Sequence, residues 1–225
     1  MHPTDLDTLY RATNDKTVAL WQQESGIGEV MSGEYYHPRK LALAAGLQPS
    51  MPPAVRALFD AVRQLSAEDA LADLLPTEAF HFTFLPITPP LYEEEDALPE
   101  DIAPLLRLWQ NYQGQRVTIK GLRLVALPGQ LLLAGVPDAQ AITARQRFCE
   151  EVLASPWREA LLARHKKTPL PAPFWHSTLL RYRAQRLPAS LQRYFLQAQH
   201  ARYGDLSGEL KLAQVNYNWT TCRVI

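Results

Sequence analysis

Two stretches decide the reading of this chain: FHFTFL at residues 80–85 and FWHSTLL at residues 174–180. Each alternates packed and polar side chains, the period of a half-buried β-strand. Side chains of a strand point alternately to its two faces, so His81 and Thr83 share one face while Phe80, Phe82 and Phe84 share the other. In the second stretch Trp175, Ser177 and Leu179 take the packed side, leaving His176 and Thr178 on the open one. The same tetrapeptide pattern, His-x-Thr followed by an apolar residue, therefore occurs twice. A third match, His2-Pro3-Thr4, sits in a polar tail where Pro3 interrupts any alternation, and it is set aside.

Working outward, similar elements flank both stretches. In the first half, residues 17–21 read as a short strand, 54–65 as an amphipathic helix behind Pro52-Pro53, 100–112 as a second helix, and 115–127 as a strand ending at Pro128-Gly129. The second half reads as a strand at 130–136, a helix at 141–163, the 174–180 strand, a helix at 189–203 and a last strand at 209–219. Residues 24–53 are too long for an ordinary connection and are expected to cover a cleft. The expectation is an α+β fold of two pseudo-symmetric lobes, about 17–127 and 130–219. Each lobe is a mainly antiparallel sheet with helices on its outer face, and a central cleft lies between them within one bilobal domain.

Composition narrows the function. The chain has 225 residues, 47% hydrophobic and 20% charged, enough apolar material for a full core. Lysine plus arginine equals aspartate plus glutamate at 23 each, so no net field drives it onto nucleic acid or an anionic membrane. Charge is divided unevenly, with acidic residues crowding 60–101 and basic residues 143–202. The runs Glu93–Asp96 and Arg181/Arg183/Arg186 read as solvated faces, as charge runs usually are, the alternative being a phosphate-attracting wall on the second lobe. Cys149 and Cys222 lie far apart in no ligand spacing, and the N-terminal residues lack the pattern of a signal peptide. The expectation is a cytoplasmic protein that engages no membrane.

If the lobes are related by an approximate two-fold, two imidazoles and two hydroxyls converge on one cavity. Displacement at phosphorus needs a base on the attacking water and an acid on the departing oxygen. Histidine, with a pKa near 6.5, can be either. The hydroxyls of Thr83 and Thr178 can donate to non-bridging phosphate oxygens. A metal is not required, and the histidines show neither a Glu-x-x-His nor a His-Glu-x-x-His spacing that would supply one.

With these motifs the chain resembles the two-histidine (2H) phosphoesterase superfamily, and within it the bacterial RNA 2′,3′-cyclic phosphodiesterases. The resemblance spans residues of about 17–219, with 24–53 least accounted for. It implies a metal-independent phosphodiesterase acting on a 2′,3′-cyclic phosphate or related diester of RNA ends or small nucleotides. It further implies no cofactor, His176 as base, His81 as acid, and Thr83 and Thr178 as phosphate holders. The working expectation is a monomer whose partner is a small nucleotide or RNA-end substrate. The competing class is a binding module that reuses the fold to hold a nucleotide or phosphate without turnover.

Candidates for substrate binding are Tyr36, Tyr182, Tyr217 and Arg39, with Tyr35 and Trp219 as further aromatics near the cleft edge. Tyr182 stands out because an even-numbered position should project with His176 and Thr178. Arg39 would reach a phosphate if residues 24–53 fold over the cleft. His37, His165 and His200 lack the threonine and read as surface residues without a role.

Overall fold

A computed structural model describes residues 3–33 and 36–225; Tyr35 and His2 lie outside the described residues. Two antiparallel sheets form the frame. The first has the order β3 (Phe82–Pro86), β1 (Ala42–Leu47), β8 (Lys211–Val215) and β9 (Cys222–Val224). The second has the order β2 (Ala72–Leu74), β6 (His176–Tyr182), β5 (Gln130–Pro137), β4 (Arg116–Leu127) and β7 (Leu206–Glu209). Six α-helices complete the fold among the described residues: α1 (Pro3–Gln23), α2 (Pro53–Ser66), α3 (Ile102–Trp109), α4 (Ala139–Leu153), α5 (Arg158–Arg164) and α6 (Ala189–Ala198). No helix among the described residues is long and apolar enough to cross a membrane.

The α+β class with two antiparallel sheets is as expected, but the sheets do not divide where the chain does. β4, placed in the first lobe by sequence order, pairs with β5 and β7. The C-terminal β8 instead pairs with β1. Each sheet thus takes strands from both halves, and one continuous hydrophobic cluster runs through both sheets. The α2 helix shows why its pattern was legible: Val55, Leu58, Phe59 and Val62 form one buried stripe, each side chain contributing about 1.5–3 kcal/mol.

Residues 17–21 are not a strand but the end of α1. The face of α1 that meets the protein mixes apolar Leu6 with side chains that hydrogen-bond to backbone groups. Tyr10 donates to the Gly135 carbonyl at 2.9 Å, the Asn14 side chain accepts from the Ala126 amide at 2.9 Å, Thr17 donates to the Ala126 carbonyl at 2.9 Å, and Trp21 donates to the Pro128 carbonyl at 3.1 Å. Spaced at 10, 14, 17 and 21, these side chains occupy one helical face and bond backbone groups of β4, of β5 and of the turn between them. An apolar 3.6-residue period is therefore weak there, which hid the helix.

Residues 24–53 are not purely a cover, because 42–47 form β1, a strand paired on both sides. Its sequence, ALAAGL, lacks the β-branched and aromatic residues that announce a strand. The expected helix at 141–163 is two helices, since Pro156 has no amide to donate and forces the preceding residue out of helical geometry. The Ser155 hydroxyl closes that break, accepting from the Trp157 amide at 3.1 Å. The expected strand at 209–219 is likewise interrupted, by the end of β7 at Glu209 and by a turn after Val215.

Candidate active site

β3 and β6 face one another across the junction of the sheets. Both motifs open into one cavity of about 290 Å3, lined by His81, Thr83, His176 and Thr178. The pairing registers explain why two strands present their side chains alike. In β3, Ala45 pairs with Leu85 and Gly46 with Thr83, leaving Phe84 as an unpaired extra residue. In β6, Leu131 pairs with Leu180 and Leu132 with Thr178, leaving Leu179 extra. Each motif therefore carries a β-bulge at the residue after its threonine, a device that re-aims side chains beside functional sites.

The bulge corrects the expectation for Tyr182. Strict alternation puts Tyr182 with His176 and Thr178; one extra residue shifts the parity and puts Arg181 there instead. Arg181 lines the cavity at 8% exposure, whereas Tyr182 turns away and donates to Asp69 at 2.8 Å. Arg181 is thus a cavity wall residue and not part of a solvated face. Arg186 is also buried, bonded to the Gly26 carbonyl and paired with Glu24.

His81 is 5% exposed, with Nδ1 2.8 Å from the Ala79 carbonyl. A carbonyl only accepts, so Nδ1 carries the proton, and Nε2 is the nitrogen left to exchange one. The Trp219 indole lies flat against this ring, with centroids 4.9 Å apart and an interplanar angle of 11°. Burial lowers the His81 pKa to about 3, with Arg181 and His176 adding to the depression and the Ala79 bond opposing it. His176 is lowered to about 4 by burial, then by Arg181 and Arg145. Its Nδ1 is buried with no hydrogen-bond partner among the described residues, and its ring meets the edge of Phe174 at 6.1 Å.

The two ends of the cavity differ. At the His81 end, Tyr36 and Tyr217 stack at 5.8 Å, and the Arg181 guanidinium lies over both rings. Asn218 accepts from Arg181 at 2.5 Å, with Asp73 3.9 Å away. These two tyrosines are therefore brought together at the cavity. Arg39 is not: it is exposed and outside the lining, in the turn that leads into β1. Chain direction there is set by Lys40 pairing with Glu93 at 2.7 Å and Leu41 bridging to Tyr92.

At the His176 end, Arg145 on α4 is 7% exposed, and its guanidinium lies 4.1 Å from the Trp175 ring centroid. Its Nη atoms donate to the carbonyls of Phe174 and Pro173 at 3.2 and 3.3 Å. Asp138 fixes the start of α4, accepting from the amides of Ala141 and Thr118 at 2.8 and 2.9 Å. Arg164 and His165 complete this end. His165, expected at the surface, is 7% exposed; its Nε2 donates to the Pro86 carbonyl at 3.0 Å, and burial lowers its pKa. Neither Arg145 nor His165 carries a local signal: α4, packed against β3, brings Arg145 to the site, and His165, just after α5, reaches it by its bond to the Pro86 carbonyl. Among the described residues, no carboxylate lines the cavity and no three His, Cys, Asp or Glu side chains gather into a metal-holding group. Three arginines and three histidines line the cavity, and the arginines give its wall positive charge.

No family model and no curated protein matches the sequence. Solved structures do. The protein TT0787 of Thermus thermophilus is 16% identical with a TM-score of 0.51, over 82% of this chain and 94% of that one. E. coli LigT, solved with NADP+, is 12% identical at a TM-score of 0.47, and a structure described as a phosphoesterase is 13% identical at 0.46, each over the same shares of the two chains. The chain shares its fold with TT0787.

Proposed function

We propose that this protein is a phosphodiesterase that hydrolyses a 2′,3′-cyclic phosphate, or a related diester of an RNA end or small nucleotide, using its two motif histidines and no metal. The observation that carries this reading is the shared cavity: both His-x-Thr pairs line one space of about 290 Å3, together with Arg145, Arg164 and Arg181. A volume of that order suits a nucleotide-sized ligand. The stacked pair Tyr36 and Tyr217 offers a surface for a base, and the arginines compensate the phosphate charge.

His176 takes a proton from water as the water oxygen bonds to phosphorus. The bond from phosphorus to the 2′ or 3′ oxygen breaks on the opposite side, and His81 gives that oxygen its Nε2 proton. Thr83 and Thr178 donate to the non-bridging oxygens, whose charge grows in the transition state. The Ala79 carbonyl favours the protonated form of His81 and so suits it to the acid role. Both imidazoles are neutral in the empty cavity at neutral pH, and the incoming anion raises their pKa values, so binding takes up a proton.

The test is the release of a nucleoside monophosphate from 2′,3′-cyclic AMP, with chelator present, by the wild type and by His81→Ala and His176→Ala. Chelator-resistant turnover that vanishes in both variants is the expected result. Tight nucleotide binding without product across cyclic nucleotides and oligonucleotides would replace this reading with the binding module.

A further inference from the structure

Trp219 stands in a costly position. Its φ is +59°, a left-handed conformation that bulky side chains rarely adopt, in the turn after β8. Asn216 builds that turn: its backbone carbonyl accepts from the Trp219 amide at 3.0 Å, its side-chain oxygen accepts from the Thr221 amide at 3.2 Å, and its side-chain nitrogen donates to Thr220 at 2.6 Å. Glycine or asparagine would fit the backbone at residue 219 more cheaply. Space is cleared for the indole as well. A Cβ on Gly46 would meet the Trp219 ring at 2.6 Å and the Phe82 carbonyl at 2.7 Å, so only glycine lets the ring lie where it does. Its other neighbours are Ala44, Ala213 and Val215, a small cluster separate from the main core. What the indole gains from this arrangement is the parallel stack on His81.

From these observations we infer that Trp219 is a positioning residue for His81, with Gly46 as the gap that admits it. Two constraints then fix the imidazole: the Ala79 carbonyl holds Nδ1, and the indole face holds the plane of the ring, so that Nε2 is aimed into the cavity. The electron-rich indole face also favours the imidazolium that an acid must become before it donates. Trp219 therefore serves the catalytic histidine and not a substrate base. The kinetic consequence rests on the phosphodiesterase reading; the structural one does not.

The experiment has two arms. Nitrogen-15 NMR of the His81 ring at neutral pH reads its tautomer without any need for turnover. The wild type should show a single form protonated at Nδ1, Trp219→Phe should match it, and Trp219→Leu and Gly46→Ala should lose it to a mixture. Kinetics on 2′,3′-cyclic AMP should show kcat reduced about tenfold or more in Trp219→Leu and Gly46→Ala, with KM within about threefold and kcat restored in Trp219→Phe. An unchanged His81 spectrum in a Trp219→Leu protein that is folded by circular dichroism would overturn the inference. Should that variant not fold, Trp219→Gly decides, because it removes the indole while easing the left-handed backbone at residue 219. A wild type without turnover would sink the phosphodiesterase reading while the NMR arm still rules on Trp219.

Discussion

β3 and β6 carry the same backbone device and end differently. Both present histidine and threonine two residues apart, and both insert one extra residue immediately afterwards. Beyond the bulge, β3 offers Pro86, whose carbonyl is occupied by His165, while β6 offers the cationic Arg181. The histidines are held differently too, His81 by a carbonyl and an indole, His176 beside Phe174 with Arg145 contributing charge. Shared geometry thus places two matching His-Thr pairs at one cavity, and unshared neighbours give the two histidines different surroundings.

The most severe way to break the comparison is to remove each imidazole in turn. His81→Ala and His176→Ala should each lower kcat by about a thousandfold, the range of a general acid or base, with near-UV circular dichroism unchanged. A variant that retained activity within about tenfold would show that only one strand does chemistry. Next, Arg181→Met should lower kcat/KM by about 10- to 100-fold, whereas Pro86→Ala should change it by less than about threefold; equal losses would abolish the asymmetry between the strand ends. The threonines test the symmetric part: Thr83→Val and Thr178→Val should each cost about tenfold in kcat.

Acid stability sharpens the same contrast. Both histidines have folded-state pKa values below the unfolded value of about 6.5, so between that pH and about 4 the unfolded chain binds protons that the native state refuses. Their contribution to stability is complete above about 6.5 and is lost as pH falls toward about 3–4. Denaturant melts at pH 7.5 and pH 5 should show that loss, and His81→Gln should make it smaller. The least effect belongs to Tyr182→Phe, which deletes the hydrogen bond to Asp69 on the side away from the cavity. It should leave turnover within about twofold and lower stability by about 1 kcal/mol, read from the urea midpoint.

The parts of the site legible in the sequence were those with a local rhythm. Alternation around His81 and His176, and the stripe of α2, are written in neighbouring residues because each element buries one apolar face. Elements that break that rule were hidden, as with α1, which docks through Tyr10, Asn14, Thr17 and Trp21 by hydrogen bonding, and β1, built of small residues. Tyr182 and Arg181 show a subtler limit. A single bulge reverses side-chain parity, and a bulge is decided by pairing with β5, a strand distant in sequence from β6.

By itself, then, the amino-acid sequence determined the α+β class, the two motifs and the four side chains that carry them, since these follow from periods of 2 and 3.6 residues within single segments. Only the tertiary structure decided that β4 and β8 change sheets, that Arg145, Arg164, His165 and Arg181 wall the cavity, and that Trp219 lies on His81. Those facts depend on long-range packing and register, where a residue's surroundings come from distant parts of the chain and leave no periodic trace in its own neighbourhood.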